Sequence, residues 1–226
     1  MTYCELCDGT TDDRMESFGW GWCDWCQHGT RDVEYSEIAP DYETDKYASH
    51  NGDFEYLKKE WQTNVEQLKK HAQGVTVLDI GFLEGSGMGA MASAGFNVFG
   101  FDVSDAAFRK ATGNGIDAAR LQVDSELTES VFGGKRFNAI TCREVIEHVP
   151  DPDGMLRTFA KLLRTKGIVQ VQTPLFDHAV RFWDCEQHLR CFSVGSLVTM
   201  AERNGLRFLD GFGWPGGMCM TFRKAE

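Results

Sequence analysis

The sequence predicts an α/β fold in which helices cover an open, mostly parallel β-sheet, with a small metal-binding unit in front of it. Three observations predict this fold. From residue 75 onward, short apolar runs alternate five times with helical patterns, two further strands close the chain, and two Cys-x2-Cys pairs stand near its start. A chain of 226 residues, 42% of them hydrophobic, can bury one core of ordinary size and a small appendage, which excludes two large domains.

Four cysteines near the start have the spacing of a tetrahedral zinc site. Cys4 and Cys7 form one pair, Cys23 and Cys26 form the other, and fifteen residues separate the pairs. Two residues between thiols let one tight turn direct both sulfurs at a single ion. Because four thiolates leave no open coordination position, we expect a structural Zn²⁺ in a ribbon over residues 1–32. A redox role for the two pairs is the alternative.

A connector and one helix follow the ribbon over residues 33–74. The connector is acidic and rich in tyrosine. Over residues 54–72 apolar side chains recur in steps of three and four, which predicts a helix. Asp53 is its predicted N-cap, and Gly74 its predicted end.

Residues 75–226 are predicted to form a Rossmann-like sheet of about seven strands. Asp151 caps a helix with Pro152 in its first turn, and Gly167 is expected to end that helix. The turn at residues 213–217 joins the last two strands into an antiparallel hairpin at one sheet edge. The predicted strands cover residues 75–80, 97–101, 119–123, 137–142, 168–172, 206–211 and 218–222, and the predicted helices begin near residues 88, 106, 151 and 193.

The turn after the first of these strands has the features of a nucleotide-cofactor site. Gly81 and the glycines that follow it let the backbone approach a ligand, and the next helix start offers N–H groups. Asp102 ends the second strand 21 residues after Gly81, a separation at which a carboxylate reaches ribose hydroxyls. The dinucleotide pattern G-x-G-x-x-G/A at residues 85–90 fits less well, because Gly85 does not follow the strand directly. The sequence therefore predicts a nucleoside-containing cofactor.

Over about residues 54–222 the chain resembles the class I S-adenosylmethionine-dependent methyltransferases. The matching segments are VLDIG at 77–81 with Gly85, GFDVS at 100–104, FNAI at 137–140, EVIEHVPDP at 144–152 and TP at 173–174. The resemblance implies S-adenosylmethionine as the cofactor. It also implies the following contacts: Asp79, Gly81 and Gly85 line the methionine part, Asp102 binds the ribose hydroxyls, Val103 flanks adenine, and Asp124 stands near the adenine amine.

One position departs from the family's pattern. The family usually has a second glycine where this chain has Leu83. If the position requires a positive φ, a leucine costs roughly 1–2 kcal/mol there. We therefore expect a reshaped turn, in which Gly85, Gly87 and Gly89 allow the close approach instead.

A group of ionisable residues follows the fourth predicted strand. Glu144, Glu147 and His148 stand at positions i, i+3 and i+4, so one helical turn would place them on one face. Two carboxylates and an imidazole can bind a hard divalent ion such as Mg²⁺, with His188 as a fourth ligand or as a base. Similar Glu-x-x-Glu-His segments hold Mg²⁺ in ubiquinone-pathway O-methyltransferases and RNA 3′-terminal 2′-O-methyltransferases. Alternatively, the segment only shapes the cofactor pocket and caps the next helix.

The resemblance implies methyl transfer from S-adenosylmethionine to a small-molecule acceptor, at oxygen or carbon. One alternative is a methyltransferase that modifies RNA or DNA. The charge of the chain argues against this alternative. The net charge is −11, and residues 1–74 contain 16 acidic but only 7 basic side chains. Such an acidic segment repels a phosphate backbone. The other alternative is a non-catalytic adaptor, in which the ribbon binds a protein partner and the cofactor pocket is vestigial.

The remaining expectations concern location and the histidines outside these motifs. No apolar run approaches the ~20 residues of a membrane helix, and the first residues do not resemble a signal peptide. We therefore expect a cytoplasmic protein without membrane contact. His28 and His71 belong to no motif, so we expect them at the surface or in loops.

Overall fold

The structure is a computed structural model that describes residues 3–15, 20–31, 54–175 and 187–226. The predicted acidic connector and the predicted cap Asp53 lie outside the described residues. No helix in the described ranges is long and apolar enough to cross a bilayer.

A seven-stranded sheet forms the centre of the fold and confirms the predicted fold class. Its strand order is β10-β11-β8-β7-β4-β5-β6. Strands β4 to β8 are parallel, and β11 runs antiparallel to β8 and to β10, as the predicted hairpin requires. The strands are β4 (Thr76–Ile80), β5 (Asn97–Asp102), β6 (Leu121–Val123), β7 (Phe137–Arg143), β8 (Leu163–Pro174), β10 (Leu206–Trp214) and β11 (Gly217–Lys224).

Helices cover both faces of this sheet, so side chains that alternate along each strand enter two separate cores. On one face, α2, α3 and α4 bury side chains such as Leu68, Met91 and Ala111. On the other, α5 and α6 bury Phe159 and Met200. The helices are α1 (Phe54–Glu60), α2 (Gln62–His71), α3 (Ser86–Ser93), α4 (Asp105–Gly113), α5 (Pro152–Leu162) and α6 (Val194–Arg203), with 3-10 turns at Ala118–Arg120 and Ile146–His148.

A second sheet of four antiparallel strands holds the N-terminal segment. Strands β1 (Asp12–Met15), β2 (Trp20–Cys23) and β3 (His28–Arg31) are joined by β9 (Arg190–Phe192), which comes from the far end of the chain. Gly29 pairs with Cys191, and a Cβ at Gly29 would lie 3.0 Å from the Cys191 Cβ, so this glycine allows the strands to approach. The sequence did not predict β9, because three residues carry no periodicity.

Three element boundaries differ from the prediction. The helix expected over residues 54–72 is two helices that meet at Trp61. The helix after Asp151 ends at Leu162 rather than at Gly167, because Leu163 already pairs with β7, and a bulge with Lys166 at φ +62° follows it. The hairpin turn contains only residues 215 and 216, since the strands extend to Trp214 and Gly217.

Candidate functional site

The turn after β4 has a leucine at its centre. Leu83 itself adopts a left-handed conformation, φ +49°, and its N–H donates to Asp102 Oδ2 at 3.0 Å. This charge-assisted hydrogen bond offsets a strain of roughly 1–2 kcal/mol. The position thus has the positive φ that was considered from the sequence, and the reshaped turn stays a prediction. A Cβ at Gly87 or Gly89 would meet the rings of Trp61 and Phe54, and Gly87 also lines the larger of the two cavities described below.

Asp102 is buried at the end of β5, and both of its carboxylate oxygens accept backbone hydrogen bonds. Oδ2 accepts from Leu83 N–H, and Oδ1 accepts from Ser104 N–H at 3.0 Å. Asp102 lines the smaller cavity described below, and a carboxylate can accept hydrogen bonds from hydroxyl groups. Gly81, at φ +71°, faces the same space from β4, and a Cβ on it would lie 2.4 Å from the Val145 side chain.

Two adjoining cavities lie at the carboxyl ends of β4, β5 and β7. The larger has a volume of about 420 Å³ and reaches from the Gly81 turn to His188, and the smaller, of about 70 Å³, lies against Asp102 and Val103. Both are lined by Gly81 and His148. Because β5 and β7 lie on opposite sides of β4, the strand order reverses here, where open α/β sheets bind their ligands.

The structure places the other predicted cofactor residues away from these cavities. Asp79 is buried beneath the turn, where its Oδ1 accepts from the Thr141 hydroxyl at 2.6 Å. Gly85, at φ +84°, starts α3 and packs against Ile116. Asp124 is exposed at the end of β6, and its N–H donates to the Asp102 carbonyl at 3.2 Å. Neither cavity is lined by any of these three predicted residues.

Asp79 is expected to make the protein less stable as the pH rises. Burial raises the pKa of Asp79 from 3.8 to about 7, and the Thr141 hydrogen bond only partly opposes it. The folded protein holds a proton on Asp79 that the unfolded chain releases above about pH 4. The contribution of Asp79 to the free energy of unfolding is therefore most favourable at low pH and falls as the pH passes from about 4 through about 7. This rise in pKa corresponds to roughly 4 kcal/mol at most.

Urea denaturation at pH 5 and pH 8 tests this dependence with Asp79→Asn. We expect the variant to gain stability relative to the parent at pH 8 and to gain much less at pH 5. Glu66→Gln, on the exposed face of α2, is the control. An equal difference at both pH values would show that Asp79 does not titrate in this way.

The predicted Glu-x-x-Glu-His residues do not share a helical face. Glu144 adopts φ +52° and accepts from Gln172 Nε2 at 3.2 Å, and only Ile146–His148 forms a 3-10 turn. Glu147 is fully buried and accepts from the Thr173 hydroxyl at 2.9 Å. The structure instead brings Glu147, His148 and His188 together, with ligand atoms within 4.8 Å of one another.

The environment of this cluster determines its protonation. His148 Nδ1 lies 3.0 Å from the Gln187 carbonyl. A carbonyl only accepts, so Nδ1 carries the proton and Nε2, 3.9 Å from Glu147 Oε1, carries the lone pair. Burial lowers the pKa of His148 to about 4. Burial also raises the pKa of Glu147 well above its ordinary value, and the nearby Glu144 adds to this rise.

Among the described residues, Glu147 Oε1 meets no hydrogen-bond donor. Together with the imidazoles of His148 and His188, this buried oxygen forms a candidate ligand set for a divalent ion. One carboxylate and two imidazoles suit a transition metal, whereas Mg²⁺ prefers oxygen ligands. Mg²⁺ stays a prediction, with a set of atoms that differs from the one the sequence indicated.

The four N-terminal cysteines lie together, as their spacing predicts. Their sulfurs are within 4.8 Å of one another, all four are free thiols, and Cys7 Sγ lies 3.8 Å from Cys23 Sγ. Zn–S bonds of about 2.3 Å place two sulfurs of a tetrahedron about 3.8 Å apart. The cluster therefore has the dimensions of a four-thiolate zinc site.

Sequence reasoning missed several residues around both sites. Arg143, at the end of β7, lines the larger cavity with its guanidinium 5.0 Å from the Trp61 ring centroid. A cation at the carboxyl end of a predicted strand could have been noticed, but its stacking on Trp61 could not.

His28 was expected near the surface, yet it is 1% exposed and contacts Glu5 at 2.7 Å. His71 is also largely covered and contacts Asp210.

The fold and the site define a class: a Rossmann-like domain with a ligand crevice at the point where the strand order reverses. Residues 54–210 match the family model described as a methyltransferase domain. This match covers more than half of the chain, and the chain belongs to that family.

Similar proteins agree with this assignment. The ubiquinone biosynthesis O-methyltransferase of Histophilus somni is 32% identical over 133 residues, which are 54% of this chain and 56% of that protein. The corresponding enzyme of Dechloromonas aromatica is 36% identical over 106 residues, 44% of each chain. The chain spans about half the length of the curated relatives it matches.

Solved structures resemble the chain in fold. Magnesium protoporphyrin IX methyltransferase of Synechocystis, with bound S-adenosylhomocysteine, has a TM-score of 0.65 at 12% identity and covers 85% of this chain and 100% of its own. The 1,6-didemethyltoxoflavin-N1-methyltransferase of Burkholderia thailandensis, also with S-adenosylhomocysteine, has a TM-score of 0.58 at 16% identity and covers 92% of this chain and 99% of its own.

Proposed function

We propose that this protein transfers a methyl group from S-adenosylmethionine to a small-molecule acceptor, at oxygen or carbon. One observation carries the proposal: buried Asp102 and Gly81 face a crevice that continues to the His148 imidazole. Family membership and the two neighbours with S-adenosylhomocysteine support the same cofactor.

The residues of the crevice fit this cofactor. Asp102 and Val103 line the smaller cavity, where the carboxylate can accept from ribose hydroxyls and the valine side chain offers an apolar contact for adenine. Gly81 lines both cavities, and its lack of a side chain lets Val145 pack against it. Glu144 lines both cavities and would favour the positive charge of a sulfonium. Asp79, Gly85 and Asp124 lie outside the cavity walls, so we assign them to the support of the turn and of β5.

The chain's own contribution to the reaction is to hold the acceptor and remove its proton. Bound S-adenosylmethionine supplies an electrophilic methyl group, which needs an acceptor held in line at about 3–3.5 Å. His148 is the proposed base, because the Gln187 carbonyl holds its proton on Nδ1 and directs the lone pair to Nε2. Glu147 and His188 border that imidazole.

A divalent ion is the second way to activate the acceptor. Glu147, His148 and His188 would hold it, and it would act as a Lewis acid toward an acceptor oxygen. The name of the ubiquinone-pathway relatives supports an oxygen acceptor. The acidic N-terminal segment argues against a nucleic-acid substrate. The adaptor hypothesis loses its main support, because Leu83 contacts Asp102 rather than disrupting the turn.

Two measurements test the proposed function. S-adenosylmethionine is expected to raise the melting temperature of the protein, and incubation with a panel of phenols, catechols and carbon acids is expected to release S-adenosylhomocysteine with at least one acceptor. Absence of any thermal shift at millimolar cofactor would contradict the proposal and favour the adaptor. Release only with RNA or DNA would favour the nucleic-acid alternative.

The proposal includes a structural Zn²⁺ on Cys4, Cys7, Cys23 and Cys26. We expect one zinc per chain by metal analysis, and we expect Cys7→Ser to lower zinc content and to unfold the N-terminal sheet, because so small a unit depends on its metal. The buried core cysteine variant Cys219→Ala is the control and should keep its zinc. A Cys7→Ser variant with a full zinc content and an intact N-terminal sheet would contradict the assignment.

A further inference from the structure

We infer that the N-terminal thiolate cluster acts as a clamp on the candidate active site, with Glu5 and Arg190 as its positioning residues. The clamp holds β9, and through β9 it holds Gln187 and His188 at the cavity. This inference rests on the proposed function for its effect on turnover, but its structural part can be measured without turnover.

Glu5 joins the cysteine cluster to the far end of the chain. It lies between Cys4 and Cys7, so an ion on the four thiolates would fix its backbone. Its carboxylate accepts from Arg190 Nε at 2.9 and 3.0 Å, and Oε1 also contacts His28 Nε2 at 2.7 Å. The side chains of Glu5, His28 and Arg190 are 24%, 0% and 11% exposed, so water screens these contacts only weakly.

Arg190 extends the connection to the segment that carries the imidazoles. Its guanidinium donates to the carbonyl of Pro150, two residues after His148, at 2.5 Å, and to the Leu189 carbonyl at 3.0 Å. One side chain of β9 thus contacts the cysteine loop, the segment that follows His148 and the adjacent Leu189. Arginine suits such a position, because it offers five donors in a rigid plane.

Backbone hydrogen bonds complete the link from β3 to the cluster. Arg31 N–H donates to the Leu189 carbonyl at 2.9 Å, next to the three pairs of β3 with β9. Leu189 N–H in turn donates to the Glu147 carbonyl at 2.8 Å. The Gln187 carbonyl accepts from His148 Nδ1. Leu189 is therefore hydrogen-bonded to β3 through its carbonyl and to Glu147 through its N–H.

The N-terminal sheet supplies the strand partner of β9, whose Phe192 also packs in the main core. It has only three residues, and β3 is its one extensive strand partner in the described ranges, since Phe192 makes a single bridge to Leu175 on the other side. So short a strand is not stable without a partner. A displacement of about 1 Å at a catalytic group can lower a rate about 100-fold. Release of β9 should therefore reduce turnover.

The cofactor part of the crevice should be unaffected by the clamp. Gly81 and Asp102 lie at the carboxyl ends of β4 and β5, and the Asp102 carboxylate accepts from the Leu83 and Ser104 amides of the same sheet edge. The clamp therefore predicts a selective effect: kcat falls, and the affinity for S-adenosylmethionine does not change.

Glu5→Gln in the full-length, zinc-loaded protein tests the clamp. It keeps the shape of the side chain and removes the charge that Arg190 contacts. We expect kcat to fall at least tenfold, with the cofactor Kd within twofold and one zinc per chain retained. We also expect faster hydrogen exchange at the Leu189 amide and a changed His148 Nδ1–H resonance. The matched control is Glu129→Gln, which removes a surface contact with Arg136 and Lys161 and should change none of these values.

The structural measurements decide the inference even where no turnover is found. A parent protein that fails to bind S-adenosylmethionine contradicts the proposed function, whereas the Leu189 exchange rate and the His148 resonance still report on the clamp. If zinc-loaded Glu5→Gln has the parent exchange rate and the parent resonance, the clamp is overturned. Should Glu5→Gln fail to fold, Arg190→Lys replaces it, because it keeps the charge and loses the planar contacts, and the same outcomes apply.

Discussion

Replacement of His148 by alanine is expected to lower kcat about 100-fold or more while the affinity for S-adenosylmethionine stays within about twofold. The imidazole is proposed to take the acceptor's proton, and a positioned general base contributes on the order of 10²–10⁴ to a rate. Burial lowers the pKa of His148 to about 4, so the ring is neutral at pH 7. Steady-state kinetics and calorimetric titration of the cofactor measure the two quantities.

His71→Gln is the control, because this largely covered histidine contacts Asp210 away from both cavities. A His148→Ala variant with the parent kcat would exclude His148 as the base. Treatment with EDTA then separates the two mechanisms. Unchanged activity with zinc still bound to the cysteines supports a base alone, whereas loss of activity that Mn²⁺ restores supports an ion on Glu147, His148 and His188.

The second large effect is expected at Asp102. Asp102→Ala should weaken S-adenosylmethionine binding about tenfold or more, because it removes charge-assisted hydrogen bonds worth roughly 1.5–3 kcal/mol. It also leaves the Leu83 N–H without its acceptor, so the left-handed turn loses the contact that offsets its strain. Calorimetric titration with the cofactor measures the loss, and thermal denaturation measures the effect on the turn.

Two further variants sharpen this test. Asp102→Asn keeps one acceptor oxygen and should bind the cofactor more tightly than Asp102→Ala. Asp105→Asn, in the first turn of α4 and outside the cavity walls, should bind it like the parent. Parent affinity in Asp102→Ala would remove the observation on which the proposed function rests.

Much of the fold could be predicted because local patterns encode it. The apolar runs at β4, β5 and β7 and the Asp151 cap of α5 depend on neighbouring residues only, and the structure contains all of them. The cysteine cluster was predictable for the same reason, since two short loops bring each pair of thiols together. Asp102 was predictable as a site residue because it directly follows a strand that enters the sheet interior.

The remaining features depend on contacts between distant parts of the chain. Leu83 at φ +49° is tolerated because Asp102, nineteen residues further on, accepts its N–H. Glu144 accepts from Gln172 and Glu147 accepts from Thr173, both on β8, and the two carboxyl groups also lie close to each other. No spacing within residues 144–148 carries that information, so the predicted helical face was wrong.

The amino-acid sequence alone thus determined the chain order of the strands in the seven-stranded sheet, the thiol cluster and the acidic residue at the end of β5. Only the tertiary structure decided that β9 joins the N-terminal sheet and that His188 reaches His148 and Glu147. The physical reason is distance along the chain: periodicity reports which face of an element is buried, whereas strand pairing and ion pairs between residues such as Glu5 and Arg190 form only once the whole chain has folded.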